Sequence, residues 1–221
     1  MPEQLITQDC TQAEQVLRKT CSKCKYPKPL IEMVKQRGSP DGLSSWCITC
    51  FNKANRIRSL ERTRSRQKLI NLLKEDPCMD CGNKFPPCCM DFDHVRGSKL
   101  KGIGQLYTGS EEILYTEIEK CDLVCAVCHR LRTHLRSEIT NKRFAAFYEK
   151  MKVLKDKPCV DCGHIFPAAG MDFDHVRGAK ELPISKMYTC AWSRVLLEVS
   201  KCDLVCACCH RIRTLAQKRA A

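Results

Sequence analysis

An α+β chain of small metal-stabilised modules is what this sequence predicts, and three observations predict it. Cysteine supplies 19 of the 221 residues. Most of those cysteines fall into CxxC pairs, the spacing at which one turn presents two sulfurs to one ion. Aromatic residues make up only 6% of the chain, too little apolar mass for ordinary cores in modules this small, so bound metal has to supply the missing stability.

Charge narrows the partner. The chain carries 38 Lys+Arg against 25 Asp+Glu, a formal +13. An excess of that size favours a polyanion, nucleic acid above all, with a merely basic surface as the alternative until the charge is located. The first twenty residues contain Glu3, Asp9 and Glu14 and no long apolar run, so neither a signal peptide nor a transit peptide is expected. No stretch approaches the roughly 18 apolar residues of a membrane span. The expectation is a soluble protein of a reducing intracellular compartment, cytoplasm or nucleoid or nucleus, not secreted and not membrane-bound. There, paired cysteines hold metal more often than each other.

Residues 1–20 read as a lead-in. Residues 21–51 form a zinc module: Cys21 and Cys24 open it, Cys47 and Cys50 close it, and the turn-rich Arg37–Gly42 between them predicts a hairpin or loop. Residues 52–76 predict a basic helix in which Lys53, Arg56, Arg58, Arg62, Arg64, Arg66 and Lys68 face only Glu61. That helix either contacts phosphate or is a solvated linker. Pro77 stops it.

Cys78–Thr133 then repeats without a gap as Cys159–Thr214, 81 residues on, with 31 of 56 paired positions identical. The period is too long for a solenoid, so the chain holds a duplicated domain, 77–136 and 158–221, joined by a helix over 137–157. That helix puts Phe144, Phe147, Tyr148, Met151 and Leu154 at helical spacing, a core face against the flanking copies. The shared cysteines give a second and a third zinc site: Cys78, Cys81, Cys125 and Cys128, then Cys159, Cys162, Cys206 and Cys209. Cys88, Cys89, Cys190 and Cys208 lack counterparts and are excluded. Cys121 and Cys202 match each other but suit a small buried residue better than a ligand.

Between its knuckles each copy carries Met-Asp-Phe-Asp-His-Val-Arg-Gly, at Met90–Gly97 and Met171–Gly178, whose alternation predicts a short strand. Of the six histidines only His94/His175 and His129/His210 are shared; His134 and His164 read as surface residues. A strand-borne Asp-His with a helix-borne His can serve phosphodiester hydrolysis. Asp93 and His129 can hold a divalent ion, with His94 as general base. Asp174, His210 and His175 repeat the set. Arg96, Lys99, Arg130 and Arg132, with Arg177, Lys180, Arg211 and Arg213, are candidates to meet flanking phosphates.

CxxCG, then DFDH, then KCDLVCAxCHR resembles the HNH nucleases of the ββα-metal fold, in particular the zinc-stabilised branch that includes phage recombination endonuclease VII. The Cys21–Cys50 segment is similar to zinc modules found beside such nucleases. The resemblance covers most of the chain. It implies two tandem ββα-metal domains behind a four-cysteine zinc module and Mg²⁺- or Mn²⁺-dependent endonuclease activity on nucleic acid, DNA first. His94 and His175 would be the general bases, and Asp93 with His129 and Asp174 with His210 the metal ligands. It also implies a place in a larger nucleoprotein assembly, with a viral or phage protein among the sources it covers. One departure stands out. Lys120 and Lys201 occupy the neighbourhood of the middle Asn that orients the general base in many members, and Asp122 or Asp203 is the candidate to replace it. The alternative reading is a non-catalytic, zinc-stabilised nucleic-acid-binding component, architectural or virion-type, on a retired nuclease scaffold.

Overall fold

A computed structural model describes residues 17–106, 110–137 and 139–220. Most of the expected lead-in, residues 1–16, lies outside them. The chain divides into two compact units, Met1–Arg64 and Ser65–Ala221. Among the described residues the strands form four two-stranded antiparallel sheets, and no helix is long and apolar enough to cross a membrane.

In the first unit β1 (Arg18–Thr20) pairs with β2 (Pro27–Pro29), and β3 (Met33–Lys35) with β4 (Leu43–Cys47). The Arg37–Gly42 turn does join two strands. Ser39 and Gly42 bond back to Gln36 and Ser39, and Asp41 caps Leu43 N–H and receives Lys19 at 2.7 Å. Among the described residues of this unit, apolar burial is confined to Cys21, Met33 and Cys47, with Leu43 and Trp46 packed beside them. The core is a cysteine tetrad with a thin apolar coat.

Helix α1 (Ile48–Leu72) starts four residues before the expected Asn52, because the second knuckle winds directly into it. Only Ile70 is buried along its length. Lys53, Arg56, Arg58, Arg62, Arg64 and Lys68 are all exposed.

The second unit is built from two equivalent halves. The first contains β5 (Met90–His94), α2 (Glu111–Ile118), β6 (Cys121–Cys125) and α3 (Ala126–Arg136). The second contains α4 (Lys142–Lys155), β7 (Met171–His175), α5 (Trp192–Val199), β8 (Cys202–Cys206) and α6 (Ala207–Ala220). Register is the same in both: His94 lies opposite Cys121 and Asp93 opposite Asp122, as His175 opposes Cys202 and Asp174 opposes Asp203. The glycine after each knuckle, Gly82 or Gly163, has a φ of +70° or +72°, a left-handed turn that a side chain would strain. The predicted strands end at His94 and His175, and Val95 beyond is 39% exposed rather than part of a buried face.

The equivalence extends further upstream than the 56-residue match. Ile70 of α1 packs with Ile103, Leu106, Leu114 and Cys121; Met151 of α4 packs with Ile184, Met187, Val195 and Cys202, each 81 residues on. The helix before each copy is thus part of that copy's core. On α4, Phe147 and Met151 are buried against the second copy and Leu154 packs beside them, while Phe144 and Tyr148 remain half-buried. Cys121 and Cys202 are buried, and each Sγ donates to the carbonyl of Glu117 or Glu198.

A third cluster joins the halves. Met90, Val124, Ala126 and Val127 of the first copy pack with Met171, Val205, Ala207 and Cys208 of the second. Contacts are reciprocal but not identical. Cys89 Sγ bonds to Cys208 O at 3.3 Å, whereas at the equivalent crossing a Cβ on Gly170 would meet Val127 Cγ1 at 2.8 Å. Here glycine is required by a close approach and not by its φ.

Candidate functional site

The twelve sequence-assigned cysteines converge into three tetrads. In each set the four Sγ atoms lie within 4.8 Å of one another, the spread expected of four sulfurs about 2.3 Å from one tetrahedral ion. Backbone amides point at the sulfurs: Cys47 N–H at Cys21 Sγ, Cys125 N–H at Cys78 Sγ and Cys206 N–H at Cys159 Sγ, all at 3.2 Å. Cys125 Sγ also caps α3 by accepting Cys128 N–H at 3.4 Å. Burial pushes the Cys78 and Cys159 thiols up, but the amides outweigh it and bring each to about 7. Burial and a crowding neighbour raise Cys128 and Cys209 well above the ordinary thiol. Four thiolates cannot share one pocket without a cation, and Zn²⁺ fits the donor set. The excluded cysteines Cys88, Cys89, Cys190 and Cys208 join no tetrad.

Strand alternation separates the Asp-His residues. His94 Nε2 meets Glu117 Oε1 at 2.9 Å, and His175 meets Glu198 at the same distance. Both glutamates are only 1% exposed. Lys120 or Lys201, bonded at 2.8 or 2.6 Å, holds the carboxyl at about 2, as does the N–H of Leu100 or Glu181. The group that orients this histidine is a glutamate three residues before the lysine. Asp122 and Asp203, the expected substitutes, instead bind Arg96 and Arg132 or Arg177 and Arg213.

Asp93 points to the other cluster, with Asp91 two residues before it. His129 Nδ1 contacts Asp91 at 2.9 Å while its Nε2 lies 3.5 Å from Asp93; His210 contacts Asp172 at 2.8 Å and lies 3.5 Å from Asp174. Asp93 and His129 are therefore brought together, whereas His94 has a separate partner. Among the described residues the only groups of three or more ligands are the cysteine tetrads. Asp93 is buried, which alone would raise its carboxyl, but Arg136 and Arg132 hold it below the usual range. Arg136 grips both oxygens at 2.9 Å and Arg132 one at 3.0 Å. Among the described residues Asp174 receives one guanidinium, that of Arg213 at 3.1 Å, and Gln217 stands where Arg136 does.

No protein-family model, curated protein or solved structure matched this chain. Its own contacts carry the reading.

Six of the eight candidate phosphate contacts are engaged within the protein. Arg130 binds Asp172 and Arg211 binds Asp91, each across the two copies. Arg132 spans Asp80, Asp93 and Asp122, and Arg213 spans Asp161, Asp174 and Asp203. Arg96 and Arg177 reach Asp122 and Asp203 and nearby carbonyls, though each side chain stays more than half exposed. Lys99 and Lys180 are exposed and bond no other described residue. His164 is exposed beside Phe166, whereas His134 is half-buried against Tyr148. Glu117 and Asp91 were missed by sequence reasoning although both are identical between copies; the signal was present in the match and lacked only a partner.

Proposed function

We propose that the chain is a metal-dependent endonuclease of the HNH type that hydrolyses phosphodiester bonds in nucleic acid, DNA in the first instance, on two tandem ββα-metal sites. One observation carries it: both copies repeat the same pair of carboxylate–imidazole contacts, His94–Glu117 with Asp91–His129–Asp93 and His175–Glu198 with Asp172–His210–Asp174, to within 0.1 Å.

Each contact supports a role. An ionised Glu117 accepts Nε2–H of His94, which leaves Nδ1 as the nitrogen able to take a proton from attacking water. Asp91 accepts Nδ1–H of His129, so the Nε2 lone pair faces Asp93, the usual pattern of a carboxylate orienting a metal-binding imidazole. These tautomers follow from the hydrogen-bond partners. Asp93 with His129, and Asp174 with His210, would hold Mg²⁺ or Mn²⁺, two protein ligands leaving open positions. A bound ion there offsets charge on the scissile phosphate and the leaving oxygen. Exposed Lys99 and Lys180, with the exposed cations of α1, supply attraction for the backbone.

A second reading has its own observation. Three hydrogen bonds from Arg132 and Arg136 already neutralise Asp93, as in a nucleic-acid-binding structural component on a retired scaffold, serving a larger nucleoprotein assembly. Supercoiled plasmid incubated with Mg²⁺, Mn²⁺ or EDTA separates the two. The nuclease gives nicked and then linear DNA with metal alone. Binding without cleavage of duplex, branched DNA or RNA under either metal selects the structural component.

A further inference from the structure

Beside His175 lies a cavity of about 300 Å³ that contains none of the zinc-site cysteines, and His175 and Asp172 of the carboxylate–imidazole pairs form part of its wall. Phe144 and Tyr148 of α4 line it together with Arg130, Lys155, Lys180 and His175. The core does not account for those two aromatics: Phe147 and Met151 are the buried residues of α4, whereas Phe144 and Tyr148 stay half-buried at the cavity. Phe144 is fixed edge-on by Tyr188, with ring centroids 5.8 Å apart. The Tyr148 hydroxyl reaches His134 Nε2 at 3.4 Å.

The charge of the lining is one-sided. Its only carboxylate, Asp172, is already bound by Arg130 and His210. Lys155 spends its ammonium on the carbonyls of Ala168 and Met171, and burial lowers its pKa, while Lys180 stays exposed at the mouth. An aromatic wall, surplus positive charge and room for one small planar group fit a nucleotide better than a purely apolar ligand or a bare anion. A paired base in a duplex cannot present its face to Phe144. Entry requires an unpaired base, or unstacking at a cost of a few kcal/mol.

Copy comparison supplies the control. At the positions equivalent to Phe144 and Tyr148 the chain has Thr63 and Gln67, while Lys155 and Lys180 correspond to Lys74 and Lys99. Both copies keep the cations, and only the second has the aromatics.

We infer that this cavity is a stacking site for one unpaired nucleotide, which makes single-stranded nucleic acid the preferred substrate class of the second copy. The inference rests on the proposed action on nucleic acid. Anisotropy binding of a labelled single strand and of the same sequence as blunt duplex tests it. The full-length zinc-loaded protein is used without Mg²⁺ or Mn²⁺, so cleavage does not enter. Phe144→Leu and Tyr148→Leu, which keep apolar bulk but remove the ring, are expected to weaken single-strand binding about 10-fold, within the range of one lost stacking contact. Duplex binding and zinc content should hold, and Gln67→Leu should change nothing. DNA and RNA single strands form separate arms, and a loss in either supports the site. Single-strand affinity unchanged in both Leu variants, or equal losses for strand and duplex, overturns the inference while leaving the nuclease reading intact. A wild-type protein that binds no nucleic acid overturns both.

Discussion

In the first copy Arg66 of α1 approaches Glu111 of α2 at 3.8 Å; at the same two positions in the second copy Phe147 of α4 packs edge-on against Trp192 of α5, centroids 6.3 Å apart. Beneath these different covers the inner contacts are the same, from the Cys tetrads to the Arg132 and Arg213 networks. The copies also differ at the carboxylate facing the helix-borne histidine: Arg136 clamps Asp93, and Gln217 leaves Asp174 with one guanidinium. Between the two copies the cysteine tetrads and the carboxylate–imidazole pairs are kept, whereas the helices that shield them and the Arg136 clamp differ.

The strongest way to break that comparison is to unfold one copy alone. Because Val127 and Cys208 belong to one shared cluster, Cys206→Ser should cost the second unit its cooperative folding as a whole, including the first copy. Cys47→Ser should leave that unit folded. Elemental analysis is expected to find three zinc ions in the wild type and fewer in the variants, with circular dichroism following the loss of structure. A Cys206→Ser protein that keeps an intact first copy would make the halves independent.

A smaller effect sharpens the difference between the covers. Trp192→Ala removes a half-buried aromatic packed on Phe147 and under Lys150, and should cost about 2–3 kcal/mol in denaturant unfolding. Glu111→Ala removes a 68%-exposed partner and should cost less than about 1 kcal/mol. Equal costs would mean the helices are held by something other than these pairs.

Gly170→Ala probes the seam between copies. Its new methyl would meet Val127, so a loss of about 1–3 kcal/mol is expected. Val127→Ala should recover part of it. Gly102→Ala, with nothing within 4 Å, should not destabilise comparably.

The smallest expected effect concerns the clamp. On the proposed function, Arg136→Gln gives Asp93 the surroundings of Asp174 and should strengthen Mn²⁺ binding at the first copy a few-fold. Electron paramagnetic titration of the zinc-loaded protein measures it. Unchanged Mn²⁺ binding would remove Arg136 as the cause of the difference.

What the sequence made legible was whatever repeats at short range. CxxC spacing located all three tetrads, because ligand geometry is local to a knuckle, and the copy comparison set aside Cys88, Cys89, Cys190 and Cys208, which join no tetrad among the described residues. The α4 face was legible by period, but period could not say that Phe147 and Met151 go inward while Phe144 and Tyr148 line a cavity. Glu117 lies 23 residues from His94 and Asp91 lies 38 from His129; such pairs depend on strand register and helix docking, which spacing does not encode. The carboxylate partners of the arginines were hidden for a related reason. Positive charge reads as phosphate contact until Asp80, Asp91, Asp172 and Asp161 are found opposite.

Cleavage of supercoiled plasmid by the single and double histidine variants tests the two-site account most directly. His94→Ala and His175→Ala should each leave nicking by the other copy. The double variant should lose activity by about 10²–10⁴-fold while keeping three zinc ions, since neither imidazole contacts a tetrad. Undiminished metal-dependent cleavage by the zinc-replete double variant would contradict the account.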